Sequence, residues 1–503
     1  MDTIISLTNG FSVALQPWNI FYCVIGVLWG TIVGVLPGLG PMAGLALLLP
    51  LTFKLDPNSA IIMLAGIFYG AMYGGSTTSI LVRIPGEAAS VITCIDGHEM
   101  AKKGRAGPAL VVSALGSWFG GTVSVLVLML FAPLLSELML TVGPPATFSL
   151  MVVALILMGF VGASSTLKTF TMIVAGLLLG TVGLDAMSGV ARFTYGSLHV
   201  MDGMSFVAMA LGLFGISEIL LNLEKVADLH PIKPTFKSLT PTLKDLKDSA
   251  PAVGRGTVIG CLFGIVPGIS HVISTFVSYA LEKKLSKFPE EFGKGKIEGV
   301  AGPETANNAT TGTSMIPLLV LGIPSIPATA ILLSALMIHG IEPGPQLIND
   351  HPEVFWGLIA SMYIGNVILV ILNLPLVGLF VNLLRIPYGY LAPVVIVISV
   401  IGVYTVNASA YEIWLMAIFG ALGYLLRKMK FDVAPLLLAV ILGDRIELAF
   451  RRSLTISDGD FSIFVESTSS AVFLCVLVII VALQLTAWLL GYRKKNFADE
   501  DPN

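Results

Sequence analysis

Two short stretches gather hydroxyls and amides inside apolar sequence. YGGSTTSILVRIPGE at 73–87 holds Ser76, Thr77, Thr78 and Ser79. NNATTGTSMIPLLVLGIPS at 307–325 holds Asn307, Asn308, Thr310, Thr311, Thr313 and Ser314. Ile84-Pro85-Gly86 in the first matches Ile323-Pro324-Ser325 in the second. Gly and Pro interrupt helices, so both stretches read as breaks. At membrane depth a break is tolerated only where protein or a watery cavity satisfies its backbone. Hydroxyls, amides and freed helix N-termini suit an anion, and freed carbonyls suit a small cation. The expected substrate site comprises Gly38, Gly40, Ser76, Thr77, Thr78, Arg83, Gly268, Asn307, Asn308, Thr310 and Ser325. Gly38, Gly268, Asn307 and Thr310 are the expected oxygen ligands of a sodium ion. Arg83 follows three apolar residues, and a cation at membrane depth is usually functional. Its planar fork suits a carboxylate; the competing readings are an ion pair with Glu87 or a snorkelling position near a basic loop. For the hydroxyls the competing reading is bonding within or between helices.

The elements that must position these groups come in two copies. GVLWGTIVGVLPGLG at 26–40 returns as GTVIGCLFGIVPGIS at 256–270, without a gap and at an offset of 230. Gly26, Gly30, Gly34, Pro37 and Gly38 fall on Gly256, Gly260, Gly264, Pro267 and Gly268. Pro37-Gly38-Leu39-Gly40 and Pro267-Gly268-Ile269-Ser270 form a second pair of breaks. The polar stretches follow in apolar runs at 59–82 and 312–338. Repeated halves with interrupted helices place a transport site between the halves.

Composition agrees. The 503 residues are 55% hydrophobic and 12% charged, with a mean hydropathy of +0.89, against roughly 25% charge in soluble domains. The apolar runs predict about 11 to 14 spanning or half-spanning helices. A short interfacial helix is expected at the N-terminus. The net charge of −3 gives no reason to expect nucleic acid. Cys23, Cys94, Cys261 and Cys475 are scattered, so neither a metal cluster nor a disulfide framework is indicated. His98-Glu99 lacks the second His of a zinc-protease motif, and no nucleotide-binding glycine motif is present. Asp444, Arg445, Glu447, Arg451 and Arg452 read as an amphipathic interfacial segment. The expected organisation is a first membrane repeat at 1–223, a hydrophilic linker at 224–252, a second repeat at 253–452, and a C-terminal helix with a polar tail at 453–503.

Loop charge orients the halves. Lys102, Lys103 and Arg105 mark one loop as cytoplasmic, whereas 339–354 has Glu342, Asp350 and Glu353 and no Lys or Arg. The loop at 282–298 has five lysines, and that at 54–58 has one. The halves are therefore expected to be inverted, with Arg493, Lys494 and Lys495 in the cytoplasm.

These motifs together resemble the large membrane subunit of the tripartite tricarboxylate transporters, the TctA family. GxxxGxxPG twice, YGG…IPGE…DGHEMAKKGRAGPAL and ANNATTG…LGIPS…HGIEPGP carry the resemblance over nearly the whole chain. It implies a bacterial inner-membrane symporter working with a small four-helix membrane subunit and a periplasmic solute-binding protein. It further implies citrate-like tricarboxylates or other organic acids as substrates and sodium as the usual coupling ion. Where this chain has Arg83, many members of the family have a small polar residue, commonly Asn. The reading is an all-α polytopic integral membrane protein, not an enzyme. It has two inverted repeats, each with a re-entrant hairpin and a broken helix, moving as an elevator in the lipid bilayer. The alternative is a stand-alone ion-coupled organic anion carrier or antiporter that needs no binding protein.

Overall fold

A computed structural model describes residues 3–499 apart from 37–38, 162–164, 186, 225–231, 233–238, 268–270 and 384–387. Pro37, Gly38 and Gly268, most of the expected linker and the last residues of the tail thus lie outside the described residues. Helices dominate the rest, and seven are long and apolar enough to cross a membrane. In chain order they begin with α1 (Thr3–Ala14), α2 (Pro17–Val35), α3 (Gly40–Thr52), α4 (Pro57–Val82), α5 (Thr93–Lys102) and α6 (Ala106–Leu140). Then come α7 (Pro144–Val161), α8 (Thr166–Gly180) and α9 (Phe206–Leu223). The second half supplies α10 (Leu243–Ile265), α11 (His271–Leu285), α12 (Glu298–Thr313), α13 (Pro327–Ile338) and α14 (Pro352–Asn373). α15 (Val377–Leu383), α16 (Tyr388–Asn407), α17 (Ala410–Lys428), α18 (Ala434–Ile456) and α19 (Thr468–Asp499) complete the chain.

Contacts divide the chain into two compact units that do not follow chain order: 1–139 with 205–433, and 140–204 with 434–503. The larger unit is built on two like helix pairs. α2 lies on α4 so closely that a Cβ on Gly26, Gly30 or Gly34 would meet the carbonyl oxygen of Met63, Ile67 or Ala71. α10 lies on α12 in the same way, with Gly256, Gly260 and Gly264 against the carbonyls of Gly302, Ala306 and Thr310. The glycine stripe that repeats in the sequence is therefore a packing stripe. The partner helices pair at an offset of 239, not 230, because the second half has a longer connection before α12.

Both partner helices are swallowed whole. Every residue of α4 from Ser59 to Leu81 is buried, and so is every residue of α12 from Gly299 to Thr313. α4 is apolar enough to be read as a span. α12 (EGVAGPETANNATTGT) is not, and the apolar run at 312–338 begins where this helix ends. α10 likewise begins at Leu243, inside the stretch expected as linker, where Thr242 and Asp245 form a capping box. The expected N-terminal helix exists as α1, with Gly10 pressed against the Trp356 backbone of α14.

In the smaller unit α18 packs on α7 and α8, with Gly176 against the Leu436 carbonyl. Two members of the expected interfacial charge cluster on α18, Glu447 and Arg451, form ion pairs within this unit. Arg192 donates to both oxygens of Glu447 at 2.8 and 3.0 Å, and Arg451 donates to Asp185 at 2.7 and 2.9 Å. These bonds clamp the ribbon formed by Gly183–Leu184 and Ala191–Arg192. They also line a cavity of about 280 Å³.

Candidate functional site

Neither polar stretch is a break along its length. Ser76 to Ser79 lie in the last turns of α4, and Asn307 to Thr313 lie within α12. Several of their hydroxyls fold back on the helix, as Ser79 on the Gly75 carbonyl at 3.0 Å and Thr311 on the Asn307 carbonyl at 2.9 Å. This local bonding lets Ser and Thr stay helical where a broken backbone is expected from sequence. The breaks come later and match closely. Arg83 ends α4 with φ 59° and ψ 25°, and Gly322 ends the turn after α12 with φ 64° and ψ 24°. Glu87 and Ile326 then open the next helical turn, both with φ −144°. Ser90 and Thr329 each stand at the third position and hydrogen-bond the carbonyl of that first residue, at 2.9 and 2.7 Å. Gly86 sits against Gly34 and Gly75, so a side chain there would separate the break from α2 and α4.

This register keeps the match of Ile84-Pro85-Gly86 with Ile323-Pro324-Ser325 but not one between the hydroxyl clusters. At the offset of 239, Thr310 faces the place of Ala71, and Ser76 the place of Met315. The hydroxyl clusters of the two halves are displaced, not equivalent. The buried carboxyls and amides break the repeat further. Ala65, Phe68 and Ile326 stand where the other half has Glu304, Asn307 and Glu87.

These groups bind across the halves. Ser76 and Thr93, from the first half, donate to the two oxygens of Glu304 on α12. Asn307 on α12 donates its Nδ2 to Glu87 Oε1 at 3.0 Å, and the Ala89 N–H donates to the other oxygen at 2.6 Å. Asn308 donates to Ser117 on α6 at 2.7 Å and to the Glu304 carbonyl at 3.2 Å. Thr310 donates to Ser274 on α11 at 2.8 Å and Thr78 donates to the Val35 carbonyl. Thr77 is buried beside them. The structure thus brings together Ser76, Asn307 and Asn308 about Glu87 and Glu304, whereas Thr78 and Thr310 bond within their own halves.

Other expected site residues are placed differently. Gly40 opens α3 with φ 63° and open space around it. Arg83 is exposed, and no ion pair with Glu87 forms, because Asn307 holds that carboxyl. Ser325 is buried and its hydroxyl has no hydrogen-bond partner among the described residues.

Three participants escape a reading by cluster. Glu304 is one charged residue in a polar helix. Glu87 looks like the partner of Arg83. His271, which replaces the Pro41 of the first copy, opens α11 beside the second Pro-Gly break. It is 4% exposed, stacks edge-on against Phe68 at 6.2 Å, and neither ring nitrogen has a partner among the described residues. The departure from the repeat is the signal that finds it.

A membrane-filling helical chain whose two halves interlock through buried polar groups defines a multi-pass membrane protein with an internal polar site. A family profile described as "Tripartite tricarboxylate transporter TctA family" matches residues 20–438, and the chain belongs to that transporter family. It is 48% identical over 501 residues, the full length of both chains, to an "Uncharacterized 52.8 kDa protein in TAR-I ttuC' 3'region" of Agrobacterium vitis. It is 46% identical over 242 residues to an "Uncharacterized protein in TAR-II ttuC' 3'region" of the same organism, covering 48% of this chain and all of that one. No solved structure matches.

Proposed function

We propose that the chain is the large membrane subunit of an ion-coupled, binding-protein-dependent importer of tricarboxylates or related organic acids in the bacterial inner membrane. One observation carries the reading: Glu87–Asn307 and Ser76/Thr93–Glu304 bonds tie the two halves together at a buried polar centre. A substrate that competes with these bonds couples its own binding to the relative position of the halves. His271 offers a ring N–H to a substrate carboxylate at the N-terminus of α11, where the helix dipole also favours an anion. Ser325 and Thr77 supply further hydroxyls. The opposite loop charges support an inverted arrangement, and an elevator-like motion suits two repeated breaks. A small four-helix membrane subunit would complete the membrane complex, a periplasmic solute-binding protein would deliver the acid, and sodium would drive it.

Uptake of labelled organic acids into proteoliposomes tests this. Sodium-driven uptake is expected only when the binding protein and the small subunit are supplied. Equal uptake without them would make the chain a stand-alone carrier. Equal uptake with choline replacing sodium, at fixed pH and potential, would remove sodium from the reading.

A further inference from the structure

The cavity of about 280 Å³ beside the ribbon is walled by Asp185, Arg192, Asp202, Asp444, Glu447 and Arg451, all of the smaller unit. Four carboxyls thus face two guanidiniums. Both guanidiniums are engaged with Asp185 and Glu447. Asp202 and Asp444 are exposed, and among the described residues they form no hydrogen bond and no ion pair. They leave the cavity with two uncompensated negative charges. One donor is also left over. Arg192 Nε is buried and has no hydrogen-bond partner among the described residues.

A second cavity, of about 310 Å³, adjoins the first and shares Gly180, Asp444 and Glu447 with it. Its other walls are mostly apolar, with Phe148 of α7, Leu177 of α8, and Ile446 and Phe450 of α18. α8 ends at Gly180 and α7 begins at Pro144, and both are short apolar helices. The junction of the two cavities therefore falls at helix ends, where hydrocarbon gives way to head groups. Asp444 stands at that junction. A carboxylate on a membrane helix is costly unless a cation meets it.

We propose that the joined cavities bind one phospholipid whose head group carries a primary ammonium. The ammonium meets Asp202 and Asp444, Arg192 Nε donates to the phosphate, and an acyl chain fills the apolar cavity. Each feature selects against other occupants. The two free carboxylates repel a lipid whose only head-group charge is negative. A trimethylated ammonium has no N–H to donate to them. A soluble amine leaves the apolar cavity unfilled and gains nothing from it. The site lies wholly within the smaller unit and owes nothing to the polar centre of the larger one. The bound lipid ties the ribbon segment, with its exposed Phe193, Tyr195 and Leu198, to the membrane surface.

The test uses the purified full chain, stripped of lipid, and follows its thermal midpoint as phospholipids are added at a fixed detergent concentration. A ligand of the folded state raises the midpoint. Phosphatidylethanolamine should give a saturable rise. Phosphatidylcholine and phosphatidylglycerol should each need roughly tenfold more lipid for the same rise, as the loss of a charge-assisted hydrogen bond implies. Asp202→Asn and Asp444→Asn break no bond of the lipid-free protein, so without lipid their midpoints should match that of the unsubstituted chain. Each should weaken the response to phosphatidylethanolamine by a similar factor. Gly443→Leu fills the apolar cavity, leaves the charges in place and should weaken it too. Phosphoethanolamine, the head group without chains, should leave the midpoint unmoved at those concentrations. No rise with phosphatidylethanolamine overturns the site. Equal rises with all three phospholipids also overturn it, since bulk lipid would then be solvating the helices. An unchanged response in either aspartate variant removes the ammonium contact and the proposal with it. A response to phosphoethanolamine as strong as that to the lipid would make this a site for a soluble amine instead. If Gly443→Leu fails to fold, the aspartate variants and the phosphoethanolamine control decide alone.

Discussion

At the scale of single residues, hydrogen bonding and backbone conformation assign roles that residue type leaves open. Asn308 is as polar as Asn307, yet its Nδ2 is committed to Ser117 and its own helix. Asn308→Ala should cost about 1–3 kcal/mol, because the bond to a buried group is lost. The thermal midpoint should fall together with uptake; a full midpoint with no uptake would place Asn308 on the substrate instead. Arg83 occupies a left-handed backbone position whose counterpart is Gly322. A bulky residue costs roughly 1–2 kcal/mol there, whereas Gly and Asn adopt it readily. Arg83→Asn should therefore raise the thermal midpoint by an amount corresponding to about 1 kcal/mol. The ranking of mono-, di- and tricarboxylates should stay unchanged. Selective loss of affinity for the most charged acid would return Arg83 to the substrate.

At the scale of elements, the glycine stripes and the two breaks carry the fold. Gly260→Leu would drive a side chain into the Ala306 backbone and separate α10 from α12. Overpacking of this kind costs about 1–3 kcal/mol or more, so little folded protein should be recovered. Gly40→Leu is the contrast, since only its φ of 63° opposes a side chain in open space. Its cost should be about 1–2 kcal/mol, and folded protein should be recovered by size-exclusion chromatography. The ribbon at 183–192 depends on charge. The Arg451 hydrogen bond, and then the N–H groups of Met187 and Ser188, hold the Asp185 carboxyl well below the usual carboxylate range. A depressed native value means the stabilisation is complete above the unfolded carboxylate pKa of about 4 and is lost as pH falls below it. Proteolysis within 183–203 should accelerate on acidification below that value, and Arg451→Gln should produce the same cleavage at neutral pH.

At the scale of the whole molecule, the repeat is local geometry reproduced twice, while the polar centre is not. Two helices that are buried on all sides, α4 and α12, carry most of it. The proposed inversion of the halves makes a direct prediction for a cysteine-free background, in which the exposed Cys475 and the three buried cysteines are replaced. A thiol reagent applied from outside should label a cysteine placed at position 350 and not one at 103. Labelling of both from the same side would end the inverted arrangement.

The sequence by itself determined the membrane class, because transfer of apolar surface is additive and needs no knowledge of partners. It also determined the repeat, because close helix approach demands glycine at fixed spacing, but it placed the breaks only broadly, within 73–87 and 307–325. It did not reveal α12, whose composition reads as loop until other helices bury it. Tertiary structure also decided that Asn307 meets Glu87 and that Glu304 meets Ser76 and Thr93. These pairs are 220, 228 and 211 residues apart. Their value depends on shared burial, where an unpaired carboxyl must find a donor or a cation. That requirement exists only once the two halves have closed around them.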